Sequence, residues 1–157
     1  MLKIIDRFTE KELYFIKMIN QVLESKIPLD GTISYDGDSV RYEAQVIGGN
    51  SIDIFVLRFC VRDDVEESDN FVHISNLMIP YKYQRQRIAT AILLTMSFLA
   101  NGYLDLYFFI TGIVNTEWKE SLIKLGGIED EDGDIEINYD EFSVLVEQKW
   151  KGEDLID

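Results

Sequence analysis

Three basic side chains, Lys82, Arg85 and Arg87, fall within six residues of a strongly acidic chain. The 157 residues include 29 acidic and 15 basic side chains, a formal net charge of −14. The basic residues follow a strand-like apolar stretch, Phe71–Ile79, and precede a stretch with helical periodicity. A helix start exposes unpaired backbone N–H groups at the positive end of the helix dipole, and arginine side chains match phosphate oxygens. The loop Tyr83–Ala89 is therefore predicted to bind an anionic ligand, such as a phosphate.

His73 is the single histidine of the chain, and it lies in the predicted strand before this loop. With the strand period of two, its side chain shares a face with Phe71, Ser75 and Leu77. The unperturbed pKa of histidine is near neutrality, so His73 can take a proton directly or through a water molecule, which Ser75 can bind. His73 and Ser75 are therefore candidate catalytic residues. The alternatives are a partly buried strand histidine with one satisfied hydrogen bond and an ordinary strand serine.

The composition of the chain sets limits on its class. The length suits one domain, residues 1–157, and 46 % hydrophobic residues suffice for a core. The acidic balance disfavours binding to nucleic acid and favours a cationic substrate or, as a minority alternative, mimicry of nucleic acid. Cys60 is the one cysteine, which suits a reducing compartment. No apolar run is long enough for a signal peptide or a membrane span, so we expect a cytoplasmic protein without a membrane partner.

The first half of the chain predicts a helix and a sheet. Thr9–Leu23 has an apolar stripe and a capping residue. Val40–Ile47, Ile52–Val61 and Phe71–Ile79 are rich in β-branched and aromatic residues and are separated by turn signals. We expect these three strands to form an antiparallel meander, with the acidic segment 63–69 as a loop.

The second half predicts a strand–helix–strand crossover. Its helices are expected over Gln86–Ala100 and Thr116–Leu125, with a buried strand, Tyr103–Ile110, between them. Two further strands are expected in the tail, a weak one near Ile128–Ile137 and a better one over Phe142–Gln148. The whole predicts an α/β domain with an antiparallel front and a crossover behind it.

The segment Leu77–Leu93 resembles the acetyl-CoA-binding motif of the GNAT family of N-acetyltransferases. The family signature, Gln/Arg-x-x-Gly-x-Gly/Ala, is matched here as Gln84-x-x-Arg87-x-Ala89. A second segment begins at Asn115 and ends in Lys-Leu-Gly-Gly, similar to the family's Asn…Lys-Leu-Gly-Phe. Together the two motifs cover about residues 71–127.

This resemblance implies a fold, a cofactor and a set of contacts. The fold would be α/β (α+β), an acyl-CoA N-acyltransferase-like mixed and mostly antiparallel sheet flanked by helices. The cofactor would be acetyl-CoA, with its pantetheine arm on backbone groups of Leu77 and Ile79 and its pyrophosphate on amides from Gln84 to Thr90. The implied cofactor-binding residues are Leu77, Met78, Ile79, Gln84, Arg85, Gln86, Arg87, Ile88, Ala89, Thr90 and Asn115.

The chain departs from the family pattern at three positions. Arg87 replaces the signature glycine, and Arg85 replaces a glycine that commonly precedes it. Glycine lets a pyrophosphate approach the backbone closely, whereas an arginine side chain can either reach the phosphates or block them, and both interpretations are open. Many members place a tyrosine acid seven residues after the asparagine, where this chain has Leu122, and its neighbour Ser121 is a poor acid.

The acidic tail contains a competing motif. Asp130, Asp132, Asp134 and Glu141 have the spacing of positions one, three, five and twelve of an EF-hand calcium loop. Position six, invariably glycine in that loop, is Ile135. The alternative is a terminal hairpin that turns at Asp132-Gly133, and no metal is predicted.

These observations favour a cytoplasmic acetyl-CoA-dependent N-acetyltransferase that acts on an amine of an unidentified, cationic acceptor, either a small molecule or a protein. Two alternatives stay open: a catalytically degenerate protein of the same fold that binds or regulates, and an acidic interaction protein that mimics nucleic acid. The oligomeric state cannot be read from the sequence.

Overall fold

The computed structural model describes residues 1–63, 70–113 and 115–155. Apart from its first residue, the predicted acidic loop 63–69 lies outside the described residues. The described strands are β1 (Leu2–Ile4), β2 (Leu29–Asp36), β3 (Ser39–Val46), β4 (Ile54–Arg62), β5 (Phe71–Met78), β6 (Tyr107–Ile110), β7 (Ile128–Glu129) and β8 (Ile135–Glu136). The described helices are α1 (Glu10–Glu24), α2 (Ile88–Ser97), α3 (Thr116–Lys124) and α4 (Tyr139–Asp154), with a 3₁₀ turn at Tyr81–Tyr83 and a π-helical turn at Phe98–Tyr103.

The strands form one mixed sheet in the order β1-β2-β3-β4-β5-β6-β8-β7. Neighbours from β2 to β5 are antiparallel, as are β6, β8 and β7, while β1–β2 and β5–β6 are parallel. The parallel pair β5–β6 is connected through α2, which is the predicted strand–helix–strand crossover. A mixed, mostly antiparallel sheet flanked by helices confirms the predicted fold class. Strands β1 and β2 were not predicted.

Helix α1 begins where its sequence predicts. The Thr9 hydroxyl accepts the Glu12 N–H at 3.2 Å, and the Glu12 carboxylate accepts the Thr9 N–H at 2.9 Å. This reciprocal capping box satisfies two of the N–H groups that a helix start leaves unpaired. The apolar stripe of α1, which includes the fully buried Phe15, Ile16 and Ile19, packs into the core, so α1 also contacts α2.

The two faces of β5 differ, and this difference positions the site. Val72 and Ile74 are buried in the core. The alternate residues Phe71, His73 and Ser75 are only partly buried and point to the opposite face. The core therefore holds β5 in place, while the other face remains available for a ligand.

The predicted strand Phe142–Gln148 is wrong, because this segment lies within α4. The Asn138 side chain caps the helix by accepting the Asp140 and Glu141 N–H groups. Phe142 and Val146, one helical turn apart, are buried, whereas Val144 is 52 % exposed. Apolar residues at positions 142, 144 and 146 fit the period of a strand, whereas those at 142 and 146 alone also fit the period of a helix. The helix forms because burial of the face with Phe142 and Val146 against the rest of the protein stabilises it.

The strand predicted over Tyr103–Ile110 is also shorter than expected. The chain continues past α2 in a π-helical turn, closed by the Leu104 N–H on the Leu99 carbonyl at 3.0 Å. The Asn101 side chain donates to the Leu106 carbonyl at 2.8 Å and accepts the Tyr139 N–H at 2.7 Å. Asn101 therefore links this turn to the start of α4, and β6 begins only at Tyr107.

None of the described helices combines the length and the apolar character that a membrane span requires.

Candidate functional site

The loop between β5 and α2 has the backbone of a glycine loop although it contains arginines. Arg85 has a φ of 67° and Arg87 a φ of 63°, both in the left-handed region. This conformation costs a residue with a Cβ about 1–2 kcal/mol, and such strain persists where the surrounding structure enforces it, often at ligand sites. The two positions at which the sequence departs from glycine therefore keep the conformation that glycine favours.

The same loop presents unpaired backbone N–H groups. The first helical hydrogen bond of α2 runs from the Ala91 N–H to the Arg87 carbonyl, so the N–H groups of residues 88–90 have no helical acceptor. In the part of the chain that the structure describes, the N–H groups of Arg85, Gln86 and Arg87 have no acceptor either. A row of donors at the positive end of a helix is a favourable place for an anion.

A cavity of about 450 Å³ lies beside this loop. Nine of the eleven residues implied as cofactor-binding line it: Leu77, Ile79, Gln84, Arg85, Arg87, Ile88, Ala89, Thr90 and Asn115. Met78 and Gln86 are not among its lining residues. Met78 is 55 % exposed, and the Gln86 amide donates to the Lys82 carbonyl at 3.3 Å. This space, which has twelve lining residues, is called the loop cavity below.

Three further residues line the loop cavity: Tyr83, which begins the predicted anion-binding loop, and Trp118 and Ser121, which were not predicted. Trp118 and Ser121 belong to α3, whose position against the loop is a tertiary feature. Asn115 caps α3, because its side-chain oxygen accepts the Trp118 N–H at 3.0 Å. The Asn115 side chain is thus already partly engaged, and the neighbouring Leu122 is buried at 2 % exposure.

Strand β5 has a free edge next to the loop cavity. Its pairing with β6 ends at Ile74–Ile110, where the Thr111 N–H donates to the Ile74 carbonyl at 2.9 Å. Beyond this point Leu77 still pairs with β4, but no described strand pairs with the other edge of β5. The Ile79 carbonyl accepts from the Gln84 side chain at 3.0 Å. An extended ligand can therefore pair with β5 where the two parallel strands separate.

A bulge in β5 lies at the point of separation. Arg58 pairs with Asn76 and Phe59 with Ile74, so Ser75 is the extra residue. The Ser75 hydroxyl accepts from the Arg58 guanidinium at 3.2 Å and donates to the Arg58 carbonyl at 3.4 Å. Ser75 is therefore held by Arg58, and neither His73 nor Ser75 lines the loop cavity.

His73 lines a second space of about 750 Å³, which we call the histidine cavity. Its other lining residues are Asn70, Phe71, Tyr107, Phe109, Thr111, Asp130, Asp132 and Asp134. Aromatic rings and carboxylates together suit a cationic ligand. The structure thus places the predicted base in a different cavity from the predicted cofactor residues, with the divergence of β5 and β6 between them.

The environment of His73 favours the neutral imidazole. Burial, followed by the charges of Arg62 and Arg58, lowers the pKa of His73 below its ordinary value of 6.5, and Asp134 opposes this shift. Within the described residues, the buried Nδ1 of His73 has no hydrogen-bond partner. A neutral imidazole is able to accept a proton at physiological pH, and because Nδ1 is buried, the atom that takes a proton from a ligand would have to be Nε2.

Arg87 directs its guanidinium toward the end of α4. The Nη2 atom lies 2.8 Å from Oδ1 of Asp154 and 3.2 Å from Oε2 of Glu153. The guanidinium also lies 4.9 Å from the Trp150 ring centre. Arg85, in contrast, forms no ion pair or hydrogen bond with the other described residues and remains available.

The acidic tail forms the predicted hairpin β7–β8. The Asp130 carboxylate accepts the N–H groups of Asp132 and Asp134 at 2.9 and 3.0 Å, and Gly133 has a φ of 83° at the turn. Carboxylate oxygens of these three aspartates lie within 4.8 Å of one another. In an EF-hand loop Glu141 would be the twelfth ligand, but here its side chain packs beside Gly126. Calcium binding stays an untested alternative.

Comparisons with known proteins add little to this site. No protein-family model matches the sequence, and no curated protein matches it significantly. One similar solved structure is a mutant of the toxin AtaT bound to the C-terminus of the antitoxin AtaR and acetyl-CoA. The match has 14 % identity and a TM-score of 0.46, and covers 68 % of this chain and 71 % of that chain.

Proposed function

We propose that the chain is an acetyl-CoA-dependent N-acetyltransferase that acts on a cationic amine. The observation that carries the proposal is the loop from Gln84 to Thr90. Its two arginines adopt the left-handed backbone conformation that glycine favours, and all of its residues except Gln86 line the loop cavity. Strained backbone of this kind clusters at ligand sites, and this supports a ligand at the loop.

The cofactor would extend along a path that the free edge of β5 defines. Its pyrophosphate would accept from the N–H groups of residues 85–90, with the Arg85 guanidinium as a further donor. Its pantetheine arm would pair with the free edge at Leu77 and Ile79. The thioester end would then lie where β5 and β6 separate, between the loop cavity and the histidine cavity.

His73 would supply the base in this arrangement. The amine nitrogen attacks the thioester carbon, and the imidazole takes the proton that the amine loses. Breaking of the carbon–sulfur bond then releases a thiolate, which needs a proton. Because Leu122 is apolar at the usual tyrosine position, we assign the return of that proton to His73. The Ser75 hydroxyl already forms two hydrogen bonds with Arg58. It would orient a water molecule only through its remaining lone pair.

The histidine cavity would receive the acceptor amine. Phe71, Tyr107 and Phe109 provide ring faces, and the three aspartates provide negative charge for a cation. The acceptor would therefore carry a second positive charge at some distance from the amine that reacts. A linear polyamine has both features and is the probe that we would choose.

Two measurements on the purified chain test the proposal. Calorimetry is expected to detect CoA binding that is competitive with acetyl-CoA, and mass spectrometry is expected to detect an acetylated polyamine. Tight CoA binding without transfer to any amine would favour the catalytically degenerate alternative, for which the buried Leu122 is the specific observation. Lack of CoA binding combined with salt-sensitive association with a basic protein would favour the nucleic-acid mimic.

Loss of the Arg85 guanidinium is expected to weaken CoA binding. Arg85→Ala should raise the dissociation constant about fivefold because one charged donor to phosphate is lost, and Arg85→Ala with Arg87→Ala should raise it further. Calorimetry measures both. Arg85→Gly is the matched control, since glycine tolerates the positive φ. Wild-type affinity in both the alanine and the glycine variant would exclude the Arg85 side chain as a phosphate ligand.

Neutralising the acidic side of the histidine cavity is expected to affect the acceptor alone. Asp132→Asn with Asp134→Asn should raise KM for a polyamine about tenfold, because two attractive charges are lost at a partly exposed site. Steady-state kinetics in low salt provide the measurement. The KM for acetyl-CoA serves as the internal control and should not change. An unaltered polyamine KM would move the acceptor site away from this cavity.

A further inference from the structure

Arg87 connects the loop cavity with the C-terminal end of α4. It lines the loop cavity on one side and the groove between α2 and α4 on the other. Its guanidinium binds Asp154 and Glu153, and Trp150 packs against it. These contacts occupy one of the two arginines that the loop offers to an anion.

The two ion pairs of Arg87 are exposed to solvent, so another anion is able to replace the carboxylates. The Arg87 side chain is 36 % exposed, and those of Glu153 and Asp154 are 48 % and 65 % exposed. Exposed ion pairs are weak, since water and salt screen them. A phosphate offers several oxygen acceptors to the planar guanidinium, so it is able to compete with the two exposed carboxylates for Arg87.

We propose that Glu153 and Asp154 are internal competitors of the cofactor phosphate for Arg87, so that the end of α4 is released when the cofactor binds. This inference depends on the proposed function, since it takes a CoA phosphate as the competing anion. The carboxylates keep Arg87 neutralised in the free protein and lower the apparent affinity for the cofactor.

The test compares two double variants that change the net charge equally. Glu153→Gln with Asp154→Asn removes the competitors. Asp140→Asn with Glu147→Gln removes two carboxylates from the same helix that have no contact with Arg87. Calorimetry is expected to give CoA binding about threefold tighter for the first variant and unchanged for the second. Hydrogen exchange is expected to show that CoA reduces protection at residues 150–155 of the wild-type chain.

Unchanged or increased protection at residues 150–155 on addition of CoA would overturn the release of the end of α4. Unchanged or weaker CoA binding in the first variant, with wild-type binding intact, would overturn the competition and leave the proposed function in place. Equal tightening in both variants would overturn it too, because general charge would then be the cause. Failure of the wild type and of both variants to bind CoA would overturn the proposed function and this inference together.

Discussion

Replacing His73 by alanine is expected to lower kcat about a hundredfold while the KM for acetyl-CoA changes little. A positioned general base contributes roughly 10²–10⁴ to a rate, and His73 lies outside the loop cavity that would hold the cofactor. Steady-state kinetics at saturating acetyl-CoA measure the effect. Cys60→Ala is a matched control, because Cys60 is the partner of His73 on the adjacent strand. A wild-type kcat for the His73 variant would remove the residue from the mechanism.

The pH profile adds a second measure of His73. Burial, followed by the charges of Arg62 and Arg58, lowers the pKa of the His73 imidazole. The neutral form, which acts as the base, therefore persists to lower pH than in a free histidine. The rising limb of kcat/KM should therefore have its midpoint below pH 6.5. Arg62→Gln should move this midpoint upward because it removes a charge that repels the imidazolium. If the midpoint of the rising limb is the same in Arg62→Gln as in the wild type, the titrating group is not His73.

Replacing Phe142 by alanine is expected to lower the free energy of unfolding by about 3–5 kcal/mol. Phe142 is 1 % exposed on the buried face of α4, and truncation of a buried phenylalanine removes its packing and leaves a cavity. Val144→Ala is the matched control. Its side chain is 52 % exposed, so we expect a change within about 0.5 kcal/mol. Urea titration followed by circular dichroism provides both values.

The contrast between the two variants separates a helix from a strand. In a strand, residues 142, 144 and 146 would share one face, and Val144→Ala would be costly as well. In a helix, residues 142 and 146 share a face and residue 144 points away. A large and equal loss of stability in both variants would contradict α4.

The elements that the sequence predicts well are those with local signals. The capping box at Thr9 and the stripe of α1 define that helix without tertiary information, and turn residues separate the central strands. The segment 142–148 fails because its apolar residues satisfy both periods, and its burial against α2 depends on the rest of the fold. The short strand β1 fails for a similar reason, since three residues carry too little pattern to be recognised.

The candidate site also has features that the sequence predicts and features that it does not. The loop residues are predicted because a strand–loop–helix pattern brings Gln84 to Thr90 together. The left-handed backbone of Arg85 and Arg87 is not predictable from residue type, because arginine rarely adopts a positive φ. The engagement of Arg87 by the end of α4 joins residues more than 60 positions apart. Such a contact follows from the packed structure and has no local signal.

The two outermost strands have a consequence for how copies of the chain behave at high concentration. Strand β1 has three residues and strand β7 has two, so each edge of the eight-stranded sheet offers few backbone groups to another chain. Long unpaired edges promote sheet-to-sheet aggregation, and a net charge of −14 adds repulsion between copies. The sheet therefore resists edge-to-edge polymerisation at both ends while it keeps an internal free edge, on β5, for a ligand.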